Sequence, residues 1–273
     1  MTIPGSLSRL LVLAVLGTAL GSEAIIIRHD VGADDYLVSP VDYPAVFYLE
    51  RQGSRRVCAA TVIHRRWAIT AAHCSEETML GETLAQGRRF GVTVANNVRE
   101  IDFIAVHPDY DQTSSSDVDL ALLRFAEESA VPRPLPLFEG SDEMGQVARL
   151  LGWGYFGLGT TGRQYDDGQL RLAENRVAES ARRLRLVFDD PRAPGNDSLA
   201  LEGTLGLGDS GGPALIDTEV GPTLAGVAIG EVREPDYSEE TQGRYGAVAV
   251  YERISQHLEW IAAIVGSPIP FDS

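Results

Sequence analysis

Residues 208–213 read Gly-Asp-Ser-Gly-Gly-Pro. A serine hydroxyl held between glycines is accessible, but it is a poor nucleophile at neutral pH unless a base takes its proton. A lone G-x-S-x-G turn equally suits an ordinary polar turn residue. The chemistry of Ser210 therefore depends on finding a base, an orienting acid and donors for a developing negative oxygen elsewhere in the chain. Five histidines are available: His29, His64, His73, His107 and His257. His73 has the informative setting. Ala-Ile-Thr-Ala-Ala-His-Cys (68–74) places it after an apolar strand and beside Cys74, where a pinned turn would give a base the fixed reach that proton transfer needs. A His–Cys pair also fits a metal site or plain packing, but no further Cys or His falls at metal-ligand spacing, and no metal is expected. The acid is sought in Asp-Val-Asp-Leu-Ala-Leu-Leu-Arg-Phe (117–125). Asp119 adjoins the apolar strand and is placed to point inward; Asp117 reads as a solvated loop residue.

These residues must be positioned by a fold, and the rest of the sequence bounds it. The 273 residues suffice for one large domain or two small ones. The formal net charge is −16, and all 23 basic residues are Arg. So acidic a surface argues against nucleic acid or an anionic membrane as partner. Residues 1–24 differ in kind: Arg9, a twelve-residue apolar run and Ser-Glu-Ala describe a secretory signal, with a retained N-terminal anchor as the alternative. Cleavage after Ala24 would make Ile25 the first residue and place the chain, secreted or periplasmic, where disulfides survive. The two cysteines, Cys58 and Cys74, then read most simply as one bridge, against two free buried thiols or a reactive cysteine.

Short apolar or alternating runs, such as 90–95, 101–106, 120–125, 148–154, 223–230 and 246–253, are separated by Gly, Pro, Asp and Ser clusters. This is the rhythm of an antiparallel all-β chain, and about a dozen strands suit two barrels better than one sandwich. One segment reads as helix: Ile254, Leu258, Ile261 and Val265 form a single apolar stripe ended by Gly266 and Pro268. A second helix is expected over 175–185. The Pro-rich 131–138 reads as a linker, dividing the chain into 25–138 and 139–273. Asn196-Asp-Ser fits a glycosylation acceptor.

Taken in order, Thr-Ala-Ala-His-Cys, Asp-Val-Asp-Leu-Ala-Leu-Leu and Gly-Asp-Ser-Gly-Gly-Pro resemble the chymotrypsin/trypsin family of serine endopeptidases, and their mutual spacing is also that family's. His107-Pro-Asp-Tyr, Gly152-Trp-Gly and Val250-Tyr-Glu-Arg-Ile extend the likeness over most of the chain. The resemblance implies two six-stranded antiparallel β-barrels with a C-terminal α-helix. His73 and Asp119 would come from the first barrel and Ser210 from the second. It implies an attack by Ser210 on a peptide carbonyl, with His73 as the base and Asp119 holding the imidazole. The N–H groups of Gly208 and Ser210 would form the oxyanion hole, and Asp209 would pair with a new N-terminal ammonium. Cys58–Cys74 would be the bridge beside the histidine. The partner is a polypeptide substrate; no cofactor is implied, and a monomer free of the membrane after signal cleavage is expected.

The departures matter as much. The family's Ile-Val-Gly-Gly start is replaced by Ile25-Ile-Ile-Arg-His, and its other bridges are missing. The specificity-pocket residues implied are Thr204, Leu205, Ile229, Gly230, Glu231 and Ala249. Thr204 stands at the pocket floor where trypsin-like members carry Asp, so an uncharged P1 side chain is expected, with Glu231 near the rim able to change that. Ile229 replaces a serine that supports the acid, and Gly230 replaces a wall tryptophan. Two other readings remain. An α/β-hydrolase elbow would run Ser210, Asp236, His257, but Pro213 and a β-like run follow where a helix should open. A protease-like binding module without activity is the other.

Overall fold

The computed structural model describes residues 25–114, 117–195, 197–232, 238, 241–266 and 269–271. Residues 1–24, on which the secretory-signal expectation falls, and Asn196, Asp236 and Pro268 lie outside them. The first described element is a two-residue strand, β1 (Ile26–Ile27). Six strands follow: β2 (Val46–Gln52), β3 (Arg55–His64), β4 (Trp67–Thr70), β5 (Phe90–Val94), β6 (Asn97–Val106) and β7 (Ala121–Phe125). They pair antiparallel in the order β2-β3-β4-β7-β6-β5, and the end strands β2 and β5 touch to roll the sheet into a barrel. Strict alternation sets its faces: Phe90, Val92 and Val94 are buried while Gly91 and Thr93 are exposed. Strand β3 breaks the alternation and is buried at every residue from Val57 to Ile63, because it is covered on both faces.

Nine further strands complete the β structure: β8 (Val147–Gly152), β9 (Phe156–Leu158), β10 (Gly162–Tyr165), β11 (Arg171–Ser180), β12 (Arg183–Val187), β13 (Gly203–Thr204), β14 (Pro213–Thr218), β15 (Gly221–Glu231) and β16 (Val248–Arg253). Six of them close a second barrel in the order β11-β12-β16-β15-β14-β8. The two six-stranded antiparallel barrels expected from the resemblance are therefore present. A small sheet, β10-β9-β1-β13, flanks the second barrel and ties the start of the described chain to it.

Two expectations need correction. Residues 175–185 form no helix; they are the β11–β12 hairpin. Local helix formers are overridden by pairing on both sides, β11 with β8 and β12 with β16, which buries Val177, Leu184 and Leu186. Arg253 pins the hairpin turn: it makes a buried bidentate pair with Glu143 (2.7 and 2.6 Å) and donates to the carbonyls of Ser180 and Ala181. The C-terminal stripe is not one continuous helix either. A 3₁₀ turn (Ile254–Gln256) precedes an α-helix (Leu258–Val265), which ends at Gly266 with φ 75°. Its apolar side, with Ile254 and Ile261 fully buried, packs on the core of the first barrel. The two ends of the described chain thus exchange sides: β1 lies with the second barrel and the C-terminal helix with the first. Among the described residues no helix is long and apolar enough to cross a membrane.

Candidate active site

His73 is set by two short elements. Strand β4 ends at Thr70, buried Ala71 and Ala72 follow, and a helical turn, α1 (Cys74–Glu77), starts directly after it. A disulfide joins Cys74 to Cys58 in β3, so the turn is bound covalently to a central strand. Closing a loop of this size is worth about 3 kcal/mol in the chain-entropy view. The imidazole Nδ1 lies 2.5 Å from Asp119 Oδ2, and the main-chain N–H of His73 donates to Asp119 Oδ1 (2.9 Å). Both carboxylate oxygens thus hold one residue, and the two side chains are only 13% and 11% exposed. Burial by itself depresses the imidazole pKa. The hydrogen bond and charge of Asp119, aided by Glu77 and Glu76, more than offset that and leave it above the ordinary histidine value. Asp117 is not the solvated residue expected: it accepts from the Asp111 N–H (2.7 Å) and sits 3.5 Å from Arg183, fastening the loop away from the imidazole.

The Ser210 turn belongs to the second barrel but is laced to the first. The N–H of Cys58 donates to the Gly208 carbonyl (3.0 Å) and that of Ala59 to the Ser210 carbonyl (2.7 Å). Gly211, at φ 78°, has to be glycine: a Cβ there would fall 2.1 Å from the Ala59 carbonyl oxygen. Gly208 is at φ 103°, and its Cβ would meet the Arg56 carbonyl at 2.9 Å. Among the described residues no main-chain acceptor takes the N–H of Gly208 or of Ser210; Ser210 lines the cavity described next, and Gly208 is not among its lining residues. Asp209 is fully buried and accepts from the N–H groups of Gly154 (2.6 Å) and Gly206 (2.8 Å). Burial outweighs those bonds and pushes its carboxyl up to about 6. The glycines of Gly152-Trp-Gly acquire a reason: a Cβ on Gly152 would overlap Asp209 Oδ1 at 1.9 Å.

One cavity of about 250 Å³ is lined by His73, Asp119 and Ser210 together. No hydrogen bond joins the Ser210 hydroxyl to the imidazole in this state, as is common before substrate tightens such contacts. Leu205, Ile229, Gly230 and Glu231 line the same cavity. Thr204 and Ala249 do not; both are fully buried behind it, Thr204 paired to Ile26 through β13. Glu231 accepts from the Gly243 N–H (2.9 Å), yet burial pushes its carboxyl up to about 7. Gln242, which nothing in the sequence marked, also lines the cavity, and its buried Oε1 has no partner among the described residues. Glu252 was likewise missed. It lies in β16, and its Oε1 accepts the N–H of Asp119 at 3.0 Å. Asp119 therefore receives support from a residue other than position 229, whose Ile carries no hydroxyl. His257, in the rejected elbow order, sits beside His107 and not near Ser210 in this cavity.

The trypsin family model matches residues 36–261, most of the chain and every residue of this cavity. The chain belongs to the trypsin family. It is a serine-type endopeptidase, a hydrolase of polypeptides, by that membership. Relatives include snake venom serine protease Haly-2 of Gloydius brevicauda, 27% identical over 76% of this chain and 77% of its own. A peptidase of Corynebacterium glutamicum (strain R) is 27% identical over 78% of this chain and 65% of its own. Among solved structures, neuropsin, a serine protease expressed in the limbic system of mouse brain, shares the fold. Its TM-score is 0.59 at 20% identity, covering 84% of this chain and 98% of that one.

The hydrogen-bonding around His73 generates one direct expectation. Followed by NMR, the His73 ring should titrate above 6.5, the ordinary histidine value, and Asp119→Ala should bring it below, since burial would then act with less opposition. A ring that titrates at or below the ordinary value in the unaltered protein contradicts this electrostatic reading.

Proposed function

We propose that the peptide bond is cleaved by Ser210, His73 and Asp119 acting as a triad in this cavity, through an acyl-enzyme. The observation that carries this is that three residues from three separate sequence blocks line one cavity, with His73 already fixed by Asp119 at 2.5 Å. His73 accepts the Ser210 proton as Oγ attacks, then returns it to the leaving amine. Asp119 holds the tautomer that presents Nε2 to the serine and stabilises the imidazolium. The two unclaimed N–H groups, of Gly208 and Ser210, receive the oxyanion; removing one such donor typically raises the barrier by about 2.7–4 kcal/mol. Water completes deacylation.

The specificity reading rests on the cavity wall. Of the acids lining the cavity, Asp119 is engaged by His73, Glu77 belongs to the helical turn after His73, and Glu231 on the wall beside Ile229 and Gly230 is largely protonated below its pKa of about 7. An uncharged P1 side chain is therefore favoured at neutral and lower pH, because a Lys or Arg there would be buried without a counter-ion. Above pH 7 the Glu231 carboxylate ionises and begins to favour a cationic P1.

Export to an oxidising compartment, after loss of residues 1–24, agrees with the Cys58–Cys74 bridge. It would free the Ile25 amine. Ile25 is fully buried, and β1 beside it pairs with β13, whose last residue, Thr204, precedes Asp209 by five positions. Asp209 is a buried carboxylate satisfied by amides alone, and an ammonium there would remove the burial penalty that raises its pKa.

Three outcomes are expected. A fluorophosphonate should label Ser210, and His73→Ala should abolish the labelling; an unlabelled, folded protein would leave only the binding-module reading. The ratio of kcat/KM for P1 Arg over P1 Leu, in which the His73 titration cancels, should rise severalfold from pH 6 to 8.5 and stay flat in Glu231→Gln. Strict cleavage after Arg at pH 6, or an unchanged ratio, refutes the pocket reading. N-terminal sequencing of the mature protein should begin at Ile25; a start well beyond it excludes the Ile25–Asp209 pair.

A further inference from the structure

Glu252 is a carboxylate with no solvent exposure, carried on a barrel strand 133 residues beyond Asp119. Its Oε1 receives the main-chain N–H of Asp119 (3.0 Å), Arg183 Nε (2.8 Å) and Arg183 Nη2 (2.5 Å). The same Arg183 Nη2 donates to the Asp117 carbonyl (2.8 Å) and lies 3.5 Å from its carboxylate. A carboxylate and a guanidinium, both from the second barrel, thus grip the main chain of the first barrel on either side of Val118. The other cation-capable neighbour, His257, has Nε2 3.9 Å from Glu252 Oε2. Burial, His107, Arg182 and Arg183 hold that ring down at about 4, so Arg183 alone balances the glutamate near neutral pH.

A buried ion pair is weak evidence of stabilisation, since an apolar pair of similar volume commonly does as well. What this one does is geometric. Among the described residues the Asp119 carboxylate makes its two hydrogen bonds to His73, and none from the second barrel other than Glu252 fixes the direction in which Asp119 points. The remaining main-chain bonds of the loop, Val118 N–H to Asp109 and His107 N–H to Leu120, lie within the first barrel. We propose that Glu252, paired with Arg183, is a positioning residue for the reaction. By holding the Asp119 amide from across the cleft, it keeps Oδ2 on His73 Nδ1 in register with Ser210. The proposal rests on the triad reading above.

The test compares Glu252→Gln with the paired replacement Glu252→Met/Arg183→Met, which removes both charges so that neither is left buried alone. Each is measured for thermal midpoint, kcat and KM on a peptide amide, and the pH dependence of kcat/KM. The paired variant should keep its KM and lose about 10- to 100-fold in kcat, the scale of a small misplacement of reacting groups. The acid limb of its profile should move to lower pH, because His73 loses the partner that raises its pKa. Glu252→Gln, which keeps an acceptor for the Asp119 N–H, should recover part of that loss. A folded paired variant with unaltered kcat and pH profile overturns the proposal. Where that variant does not fold, Glu252→Gln decides alone: a lower kcat with a displaced acid limb at unchanged KM supports the role, and wild-type values for both refute it. Failure of the triad itself would appear separately, as an unaltered protein that does not react with fluorophosphonate at Ser210.

Discussion

The two barrels meet where the amides of Cys58 and Ala59 reach the carbonyls of Gly208 and Ser210. Nearly every other feature of the site follows from that short ladder. It requires β3 to be buried on both faces, which the unbroken burial from Val57 to Ile63 supplies. It requires Gly211 to lack a side chain, because any Cβ would wedge the Ser210 turn off Ala59. With those carbonyls engaged, the Ser210 turn is held against β3 with Ser210 on the cavity wall. The disulfide adds a second tie from the same strand, joining β3 to the turn that carries His73. One strand therefore locates both the hydroxyl and the imidazole, although the residues stand far apart along the chain.

The seam also holds several of the buried acids. Asp119, Asp209, Glu252 and Glu231 are all partly or wholly removed from water, and each is compensated differently. Asp119 faces an imidazole, Asp209 faces amides, Glu252 faces a guanidinium, and Glu231 has a single amide. Burial without a full cationic partner raises a carboxyl pKa, which is why Asp209 and Glu231 are displaced upward to about 6 and about 7. Such a graded set lets one pocket hold an aspartate bonded to an imidazole beside a glutamate that is neutral under mildly acid conditions. The pattern of unlike environments for like groups is the usual way a site assigns acid and base roles.

The parts of this arrangement legible in the sequence are those where chemistry or backbone sterics restricts the residue type. Ser210 with its glycines, His73 beside Cys74 and Asp119 ahead of β7 could be singled out for that reason, and the period-two runs marked most of the strands. The β11–β12 hairpin was misread because Ala, Glu and Arg favour helix locally, while its strand pairing comes from β8 and β16, distant in sequence. Glu252 was invisible for a related reason: in Val-Tyr-Glu-Arg it looks like an outward charge on an alternating strand. Only the closed barrel, with β12 bringing Arg183 alongside, shows that it faces the Asp119 loop. Gln242 gave no signal, and Thr204 was expected at the pocket floor but lies behind the cavity, because their places are set by the loop before β16 and by the β1–β13 pairing.

The proposed account comes down to proton transfer between residues of different barrels at a hydroxyl that attacks carbon. The most direct measurement is a crystal structure of an acyl-enzyme, trapped with an activated ester at a pH low enough to protonate His73 and stop deacylation. The account requires an ester bond to Ser210 Oγ, the acyl oxygen within hydrogen-bond distance of the N–H groups of Gly208 and Ser210, and His73 Nε2 beside the ester oxygen. An acyl group on any other residue, or a Ser210 ester whose carbonyl oxygen points to solvent with the imidazole turned away, would contradict it.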